Sequence, residues 1–205
     1  MNGSLYEPGR SPDLGIRPGE EPLMLAWADE RERQKVISLA ASEGRQTMNL
    51  RTMPYAKLVV LRRPQGGFAG WAGMDADSDP RCPELFSHYV YPEYRGRGLG
   101  ALLEHVWWSW LDGRRCRTAY MRTELDGSGD LFRRGRASGY CRQISPDELG
   151  RKFVRACRNC ELFGNRCRRQ VFLAVDVRTA LAASIVARGA LDIDALPIRV
   201  GYERL

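Results

Sequence analysis

The sequence lacks any apolar run close to the ~20 residues that a membrane-spanning helix needs, and its first ten residues lack the basic start and apolar stretch of a secretion signal. We therefore expect a cytoplasmic protein with no membrane partner. Internal repeats and low-complexity segments are also missing, which argues against a repeat array. Lysine is scarce, because 29 of the 32 basic residues are arginine. A GC-rich genome is one explanation of that bias.

The charge is unevenly distributed along the chain. Residues 1–80 carry 10 basic and 11 acidic side chains, residues 81–178 carry 19 and 11, and residues 179–205 carry three of each. The central segment therefore has an excess of eight positive charges (19 − 11). This excess predicts either a polyanionic partner, such as a nucleotide, a nucleic acid or an acidic protein, or a solvated arginine-rich surface. The sequence favours neither alternative.

A chain of 205 residues, of which 43% are hydrophobic, is long enough for one folded domain with a sizeable core. Hydrophobic periodicity and turn residues predict the helices and strands of this domain. The predicted strands are Ala56–Arg63, Phe68–Met74, Glu84–Tyr91, Thr118–Thr123, Gly139–Ile144 and Gln170–Val177. The predicted helices are Trp27–Ser42, Leu99–Leu111, a short one over Asp130–Ser138, one from Ser145 to about Leu162, and Thr179–Arg188. A hairpin followed by alternating helices and strands predicts an α/β fold with a mixed sheet and helices on its faces.

Three glycines lie between the third predicted strand and the helix that follows it, in the segment HYVYPEYRGRGLGALL. They are Gly96, Gly98 and Gly100, preceded by Arg95 and Arg97. A helix N-terminus presents unpaired N–H groups and a partial positive charge, so it binds phosphate when no side chain blocks the approach. Because glycine has no Cβ and permits positive φ, the stretch predicts a backbone loop around phosphate oxygens. A Walker loop would need a lysine after the last glycine, and GRGLG has the wrong spacing for a dinucleotide fingerprint.

At these residues the chain resembles a known family. VYPEYRGRGLGALL is similar to motif A of the GNAT superfamily of N-acetyltransferases, whose pattern (Q/R)-x-x-G-x-(G/A) follows a strand that ends in V-x-P. Arg95, Gly98 and Gly100 fill the pattern, and Val90 and Pro92 are correctly placed before it. The resemblance implies the GNAT acyl-CoA N-acyltransferase fold over residues 15–177, with a mixed, mostly antiparallel sheet and helices on both faces. Residues 1–14 then form a flexible tail, residues 146–169 a helical cysteine-containing insertion, and residues 178–205 a C-terminal helix and extension.

The resemblance also implies the chemistry. Acetyl-CoA would be the acyl donor and a primary amine of a small molecule or protein the acceptor, with no metal needed. The backbone around Val90 would bind the pantetheine arm and polarise the thioester carbonyl. The CoA pyrophosphate would be held by Arg95, Gly96, Arg97, Gly98, Leu99, Gly100 and Ala101.

The candidates for the general base lie on the strand before the glycine loop. Some family members carry a glutamate eleven residues ahead of the first motif residue, and Glu84 stands there. Strand alternation predicts that Glu84, Phe86, His88 and Val90 share one face. Glu84 is the first candidate for the base and His88 the second, since imidazole titrates in the useful range. Glu124 is a third candidate, and each of the three has a purely structural role as its alternative.

The general acid is not apparent in the sequence. Many family members carry a tyrosine in the helix after the next strand, which protonates the departing CoA thiolate. Here Asp130–Ser138 contains Phe132 but no tyrosine. Tyr140 follows Gly139, where the family often has a packed ring, so we expect Tyr140 in the core. The general acid stays unassigned, and direct departure of the thiolate is one alternative.

The segment CRNCELFGNRC supplies half of a zinc site. Cys157, Cys160 and Cys167 lie in it, and Cys116 or Cys141 could complete the set only through the fold. The alternative is that these cysteines are core residues, since Cys157 and Cys160 share a helical face with Leu149 and Phe153.

Arginine clusters offer a competing function. They comprise Arg114, Arg115 and Arg117, then Arg133, Arg134 and Arg136, and then Arg166, Arg168 and Arg169. If they converge, a zinc-containing module that binds RNA or an acidic protein is the alternative to acetyl transfer. A GNAT fold that binds CoA without turnover is a third hypothesis. Trp107, Trp108 and Trp110 are expected to pack, not to stack on bases, and a homodimer is an open alternative.

Overall fold

The computed structural model describes residues 22–43, 56–75, 83–124, 135–145, 148, 170–184 and 198–200. Eight strands in this part of the chain form one sheet. They are β1 (Leu23–Trp27), β2 (Lys57–Arg62), β3 (Phe68–Asp75), β4 (Glu84–Val90), β5 (Thr118–Glu124), β6 (Cys141–Ile144), β7 (Gln170–Asp176) and β8 (Ile198–Val200). The order across the sheet is β6-β7-β5-β4-β3-β2-β1-β8. Neighbouring strands are antiparallel except β4 with β5 and β1 with β8, so the predicted mixed, mostly antiparallel sheet is confirmed.

Helices cover both faces of the sheet, as predicted. The described helices are α1 (Glu30–Ser42), α2 (Leu99–Gly113) and α3 (Val177–Ala183), with a single 3₁₀ turn over Pro92–Tyr94. Apolar side chains of α1 pack on one face with a cluster that includes Trp71 and Phe86, and we call this the α1 face. Apolar side chains of α2 and α3 pack on the opposite face, which we call the α2 face. None of the described helices is long and apolar enough to cross a bilayer.

Two strands were not predicted. Trp27 was assigned to the first helix, but it ends β1, because the helix begins only at the cap formed by Asp29. Asp29 Oδ1 accepts a hydrogen bond from the Glu32 N–H at 2.8 Å, and Glu32 Oε2 accepts one from the Asp29 N–H at 3.1 Å. The other missed strand, β8, pairs in parallel with β1 at the edge of the sheet.

Several predicted segments lie wholly or partly outside the described residues. They are the tail over residues 1–14, most of the short helix over Asp130–Ser138 and most of the helix and insertion over residues 146–169. Within the short helix only residues 135–137 are described, and they are helical. The domain boundaries stay a prediction.

A β-bulge interrupts β4. Trp71 pairs with Tyr89 and Gly73 with Phe86, so β4 carries one residue more than β3 over this interval, and Ser87 has a φ of +54°. The extra residue reverses the alternation of side chains. Phe86 packs on the α1 face, whereas Val90 packs on the α2 face. The prediction that residues 84, 86, 88 and 90 share one face is therefore wrong.

The same strand separates from its neighbour β5. The two parallel strands pair only at Glu84 with Tyr120 and at Leu85 with Met121. From Phe86 onward, β4 pairs with β3 alone among the described strands. The edge of β4 that would face β5 therefore forms no ladder with β5 between Phe86 and Val90, just before the glycine loop, and we call this stretch the open edge of β4.

Candidate active site

The loop between β4 and α2 is built around two glycines in the left-handed region. Gly96 has a φ of +78° and Gly98 a φ of +77°. Side chains with a Cβ adopt this region at a cost of about 1–2 kcal/mol, so glycine is the residue that permits the turn. The preceding 3₁₀ turn anchors the loop, because Tyr94 is buried in the core. The predicted glycine turn between strand and helix is therefore present.

The loop delivers the chain to the N-terminus of α2 without a capping side chain. Gly98 is the N-cap residue, and its carbonyl accepts the first intrahelical hydrogen bond from the Leu102 N–H at 2.9 Å. No side chain of the described residues caps this terminus. The N–H groups of the first turn lack intrahelical partners by geometry, and the helix dipole gives them a partial positive charge. This end of α2 suits an anion such as a phosphate group.

The two loop arginines have different surroundings. Arg95 Nε donates a hydrogen bond to the carbonyl of Val90 at 3.0 Å, and its guanidinium lies 5.7 Å from the centre of the Tyr89 ring. Arg95 therefore ties the loop to the end of β4. Arg97 is half-buried, and its Nη1 atom is buried with no hydrogen-bond partner in the described part of the chain. A buried cationic nitrogen is costly without an acceptor, so this atom fits a bound pyrophosphate oxygen.

A row of polar side chains crosses three strands where β4 and β5 begin to separate. Glu84 pairs with Asp75 of β3 on one side and with Tyr120 of β5 on the other. Glu84 is 2% exposed and Asp75 is 1% exposed. The predicted strand over Phe68–Met74 ended one residue too early, because Asp75 is the last residue of β3. Its position opposite Glu84 depends on strand register, which the sequence alone did not supply.

The comparisons with known proteins agree with this geometry. The sequence model of the acetyltransferase (GNAT) family matches residues 23–135, which is more than half of the chain. The chain belongs to the GNAT family of acetyltransferases. It is therefore an acyltransferase, as the glycine motif predicted. No curated protein matches the chain.

Solved structures show the same fold at low sequence identity. A GNAT-family acetyltransferase from Staphylococcus aureus has a TM-score of 0.54 at 11% identity, covering 76% of this chain and 99% of that one. An acetyltransferase from Streptococcus agalactiae has a TM-score of 0.54 at 12% identity, and the match covers 76% of this chain and 98% of that one. A Bacillus subtilis acetyltransferase in complex with CoA has a TM-score of 0.51 at 17% identity, and the match covers 75% of this chain and 98% of that one. At these identities the likeness shows the fold alone.

The two candidate bases of this GNAT protein lie on opposite faces of the sheet. The register before the bulge places Glu84 on the α1 face with Phe86. His88 lies after the bulge and is exposed on the α2 face, where its Nε2 is 3.0 Å from the Gly100 carbonyl oxygen. Glu124 ends β5 opposite Gln170, and its side chain is outside the described part of the structure. Their catalytic roles stay predictions.

Tyr140 is a core residue of the GNAT fold here, as predicted. It is 7% exposed and belongs to the cluster on the α2 face. A Cβ added at Gly135 would lie 2.7 Å from the Tyr140 ring, so the ring rests directly on that glycine. Trp107 and Trp108 are also buried in this cluster, which confirms the prediction that they pack.

The described cysteines are buried thiols. Burial raises the pKa of the Cys116 thiol, although the nearby Arg114 opposes the shift. Burial raises the pKa of Cys141 to about 11. Both thiols are therefore protonated at neutral pH. No group of three metal-binding side chains occurs among the described residues, while Cys157, Cys160 and Cys167 lie outside them.

Proposed function

We propose that the protein is an N-acetyltransferase that moves an acetyl group from acetyl-CoA to a primary amine. The observation that carries the proposal is the N-terminus of α2. It is preceded by two left-handed glycines, is uncapped by side chains of the described residues, and lies beside a buried Arg97 nitrogen without a hydrogen-bond partner among them. These features suit a pyrophosphate, which acetyl-CoA carries.

The remaining length of acetyl-CoA would follow the open edge of β4. The loop from Arg95 to Ala101 would hold the pyrophosphate, chiefly through the N–H groups from Gly96 onward, because the Arg95 N–H already donates to the Pro92 carbonyl. The backbone around Val90 would bind the pantetheine arm. This placement is supported by the separation of β4 from β5 after Leu85, because β5 forms no ladder with β4 there. A backbone N–H at this edge would polarise the thioester carbonyl.

The acceptor must lose one proton before it attacks. A protonated amine cannot attack, so a carboxylate or imidazole must take that proton directly or through a water molecule. We assign this role to Glu84, with His88 as the second candidate. The neutral amine then adds to the thioester carbonyl. The tetrahedral intermediate collapses with departure of the CoA thiolate, and the nitrogen releases its second proton to the thiolate or to solvent. Buried carboxylates on adjacent strands, Asp75 and Glu84, favour an acceptor that approaches as an ammonium cation.

The first experiment is a calorimetric titration of the purified protein with acetyl-CoA, with zinc content measured on the same sample. We expect binding in the micromolar range. An acetylation assay with butylamine, 1,4-diaminobutane, phenylethylamine and a short peptide with a free N-terminus would follow. Failure to bind acetyl-CoA would contradict the proposal. Zinc together with no CoA binding would support the alternative of a module that binds RNA or an acidic protein.

A further inference from the structure

The side chain of His88 joins two elements that the proposed function uses separately. His88 belongs to β4, whose open edge would hold the pantetheine arm, and it contacts Gly100 in the first turn of α2, which would hold the pyrophosphate. We propose that His88 is a positioning residue that fixes the first turn of α2 against β4. The inference rests on the proposed function, because it assigns His88 a role in binding acetyl-CoA.

The bulge in β4 brings His88 to this position. Without the extra residue at Ser87, strand alternation would direct residue 88 to the α1 face with Phe86. With it, the imidazole lies on the α2 face, where its ring centre is 5.1 Å from that of Trp107. Trp107 is 1% exposed and held in the core. The exposed His88 ring therefore rests on a fixed surface.

The hydrogen bond to Gly100 determines which imidazole nitrogen carries the proton. His88 Nε2 lies 3.0 Å from the Gly100 carbonyl oxygen, and a carbonyl oxygen only accepts hydrogen bonds. Nε2 is therefore the donor, and the neutral ring has its proton on Nε2 and none on Nδ1. A carbonyl oxygen has two lone pairs, so this bond is compatible with a hydrogen bond inside the helix.

The His88 ring packs closely on the first turn of α2. A Cβ added at Gly100 would lie 3.4 Å from His88 Cε1 and 3.7 Å from Nε2, which is ordinary van der Waals contact. Gly100 has no positive φ, so neither its backbone conformation nor the imidazole requires a glycine at this position. The contact places the ring directly against the helix backbone.

Acetyl-CoA would contact both elements at once, so its affinity depends on the distance between them. Arg95 already ties the start of the loop to Val90. The His88 bond ties the helix itself to the strand and bypasses Gly96 and Gly98, whose backbones are flexible by composition. Removal of this bond should lower the affinity for a ligand that spans both elements more than the affinity for a ligand that contacts only the loop.

The test compares His88→Gln with His88→Asn. The glutamine amide nitrogen reaches the position of Nε2 and can still donate to Gly100, whereas the asparagine amide is too short. The probes are acetyl-CoA and ADP, since ADP carries a pyrophosphate without a pantetheine arm. We expect the Asn variant to bind acetyl-CoA roughly 10-fold more weakly and the Gln variant within about three-fold of the unmodified protein. ADP should bind all three alike.

His105→Gln is the matched control, because His105 is the only other histidine and contacts Ser184 and Ser109 instead of the loop. It should leave both affinities unchanged. Equal weakening of ADP and acetyl-CoA by His88→Asn would show local damage to the loop and overturn the inference. So would a Gln variant as weak as the Asn variant. A Gln variant with normal acetyl-CoA affinity but no transfer would support the positioning role and add proton transfer as a second role of His88.

A second measurement does not depend on ligand binding. ¹⁵N NMR of the imidazoles at pH 8.5, assigned with the His105→Gln variant, reports the tautomer of each ring. We expect His88 to carry its proton on Nε2, and a proton on Nδ1 would overturn the inference. If the unmodified protein bound no acetyl-CoA, the proposed function would fail, while the tautomer would still decide whether the His88–Gly100 bond exists.

Discussion

Two glycines in the loop before α2 have a backbone conformation that other residues adopt only with strain. The hairpin turn between β2 and β3 contains another glycine of this kind, Gly66, with a φ of +92°. The two places differ in what their backbones face, because Gly98 caps the candidate pyrophosphate site and Gly66 lies in an exposed turn. Substitutions at Gly98 and Gly66 can therefore separate the effect of backbone strain from the effect on ligand binding.

Replacement of Gly98 by valine should weaken acetyl-CoA binding by roughly 10-fold or more, because a branched side chain would disturb the loop around the pyrophosphate. Calorimetric titration measures the affinity. Gly66→Val is the control, with a comparable strain of about 1–2 kcal/mol and no expected change in affinity. A folded Gly98→Val variant with unchanged affinity would contradict the placement of the pyrophosphate.

The carboxylates of Glu84 and Asp75 give a second comparison at this scale. Glu84→Gln should lower the acetylation rate by roughly 10²- to 10⁴-fold and leave acetyl-CoA affinity near that of the unmodified protein. Steady-state rates across a pH series measure the effect. Asp75→Asn removes the same charge from the same row and should affect the apparent affinity for the amine more than the rate constant. Equal losses of rate in both variants would indicate an effect of charge without proton transfer by Glu84.

One motif selects several candidate residues at once. Arg95, Gly98 and Gly100 were chosen from their spacing and Glu84 from its distance to Arg95, and their roles stay predictions. Asp75 was not selected, because its position beside Glu84 follows from the pairing of two strands. The sheet face on which His88 lies was predicted wrongly, because one inserted residue reverses the alternation of side chains in β4. The sequence HYVY contains no residue that indicates a bulge.

At the scale of elements, the start of α1 depends on reciprocal hydrogen bonds. Asp29→Ala removes the side chain that accepts from the Glu32 N–H and should lower the free energy of unfolding by about 0.5–2 kcal/mol. Urea denaturation measures the change. Ser42→Ala, at the other end of the helix, removes an exposed hydroxyl bonded to the Leu39 carbonyl and should have a much smaller effect. Equal effects of the two changes would contradict the role of the cap.

Long periodic elements were predicted well and short ones poorly. The apolar spacing of Leu99–Leu111 identified α2 to within two residues of its end. β1 has only five residues and β8 three, and neither carries an alternation long enough to distinguish it from neighbouring segments. Both strands are stabilised by hydrogen bonds to residues that are distant in the sequence, and local sequence patterns do not identify such partners.

At the scale of the whole molecule, two polar contacts hold α3 against α2, and one of them involves a histidine. His105 Nδ1 is 2.9 Å from the Ser184 hydroxyl, and Arg178 Nε is 3.3 Å from an Asp112 carboxylate oxygen. Burial lowers the pKa of His105 below its ordinary value of 6.5. The unfolded chain therefore binds this proton at a higher pH than the folded protein does.

This difference predicts that the free energy of unfolding decreases as the pH falls from about 7.5 through 6.5, and that the decrease stops below the lower pKa of the folded state. Urea denaturation midpoints between pH 5 and pH 8 measure the effect. The His105→Gln variant should lose the part of the slope that comes from His105. An identical slope in that variant would assign the pH dependence to other groups.

The parallel pairing of β8 with β1 has a consequence for how the protein is made. β1 is formed by residues 23–27, and its parallel neighbour is formed by residues 198–200. During synthesis β1 can pair with β2 early, but it lacks its β8 partner until residues 198–200 have left the ribosome. Until then the edge that pairs with β8 can pair with another nascent chain, so β1 is a site of self-association for the growing polypeptide.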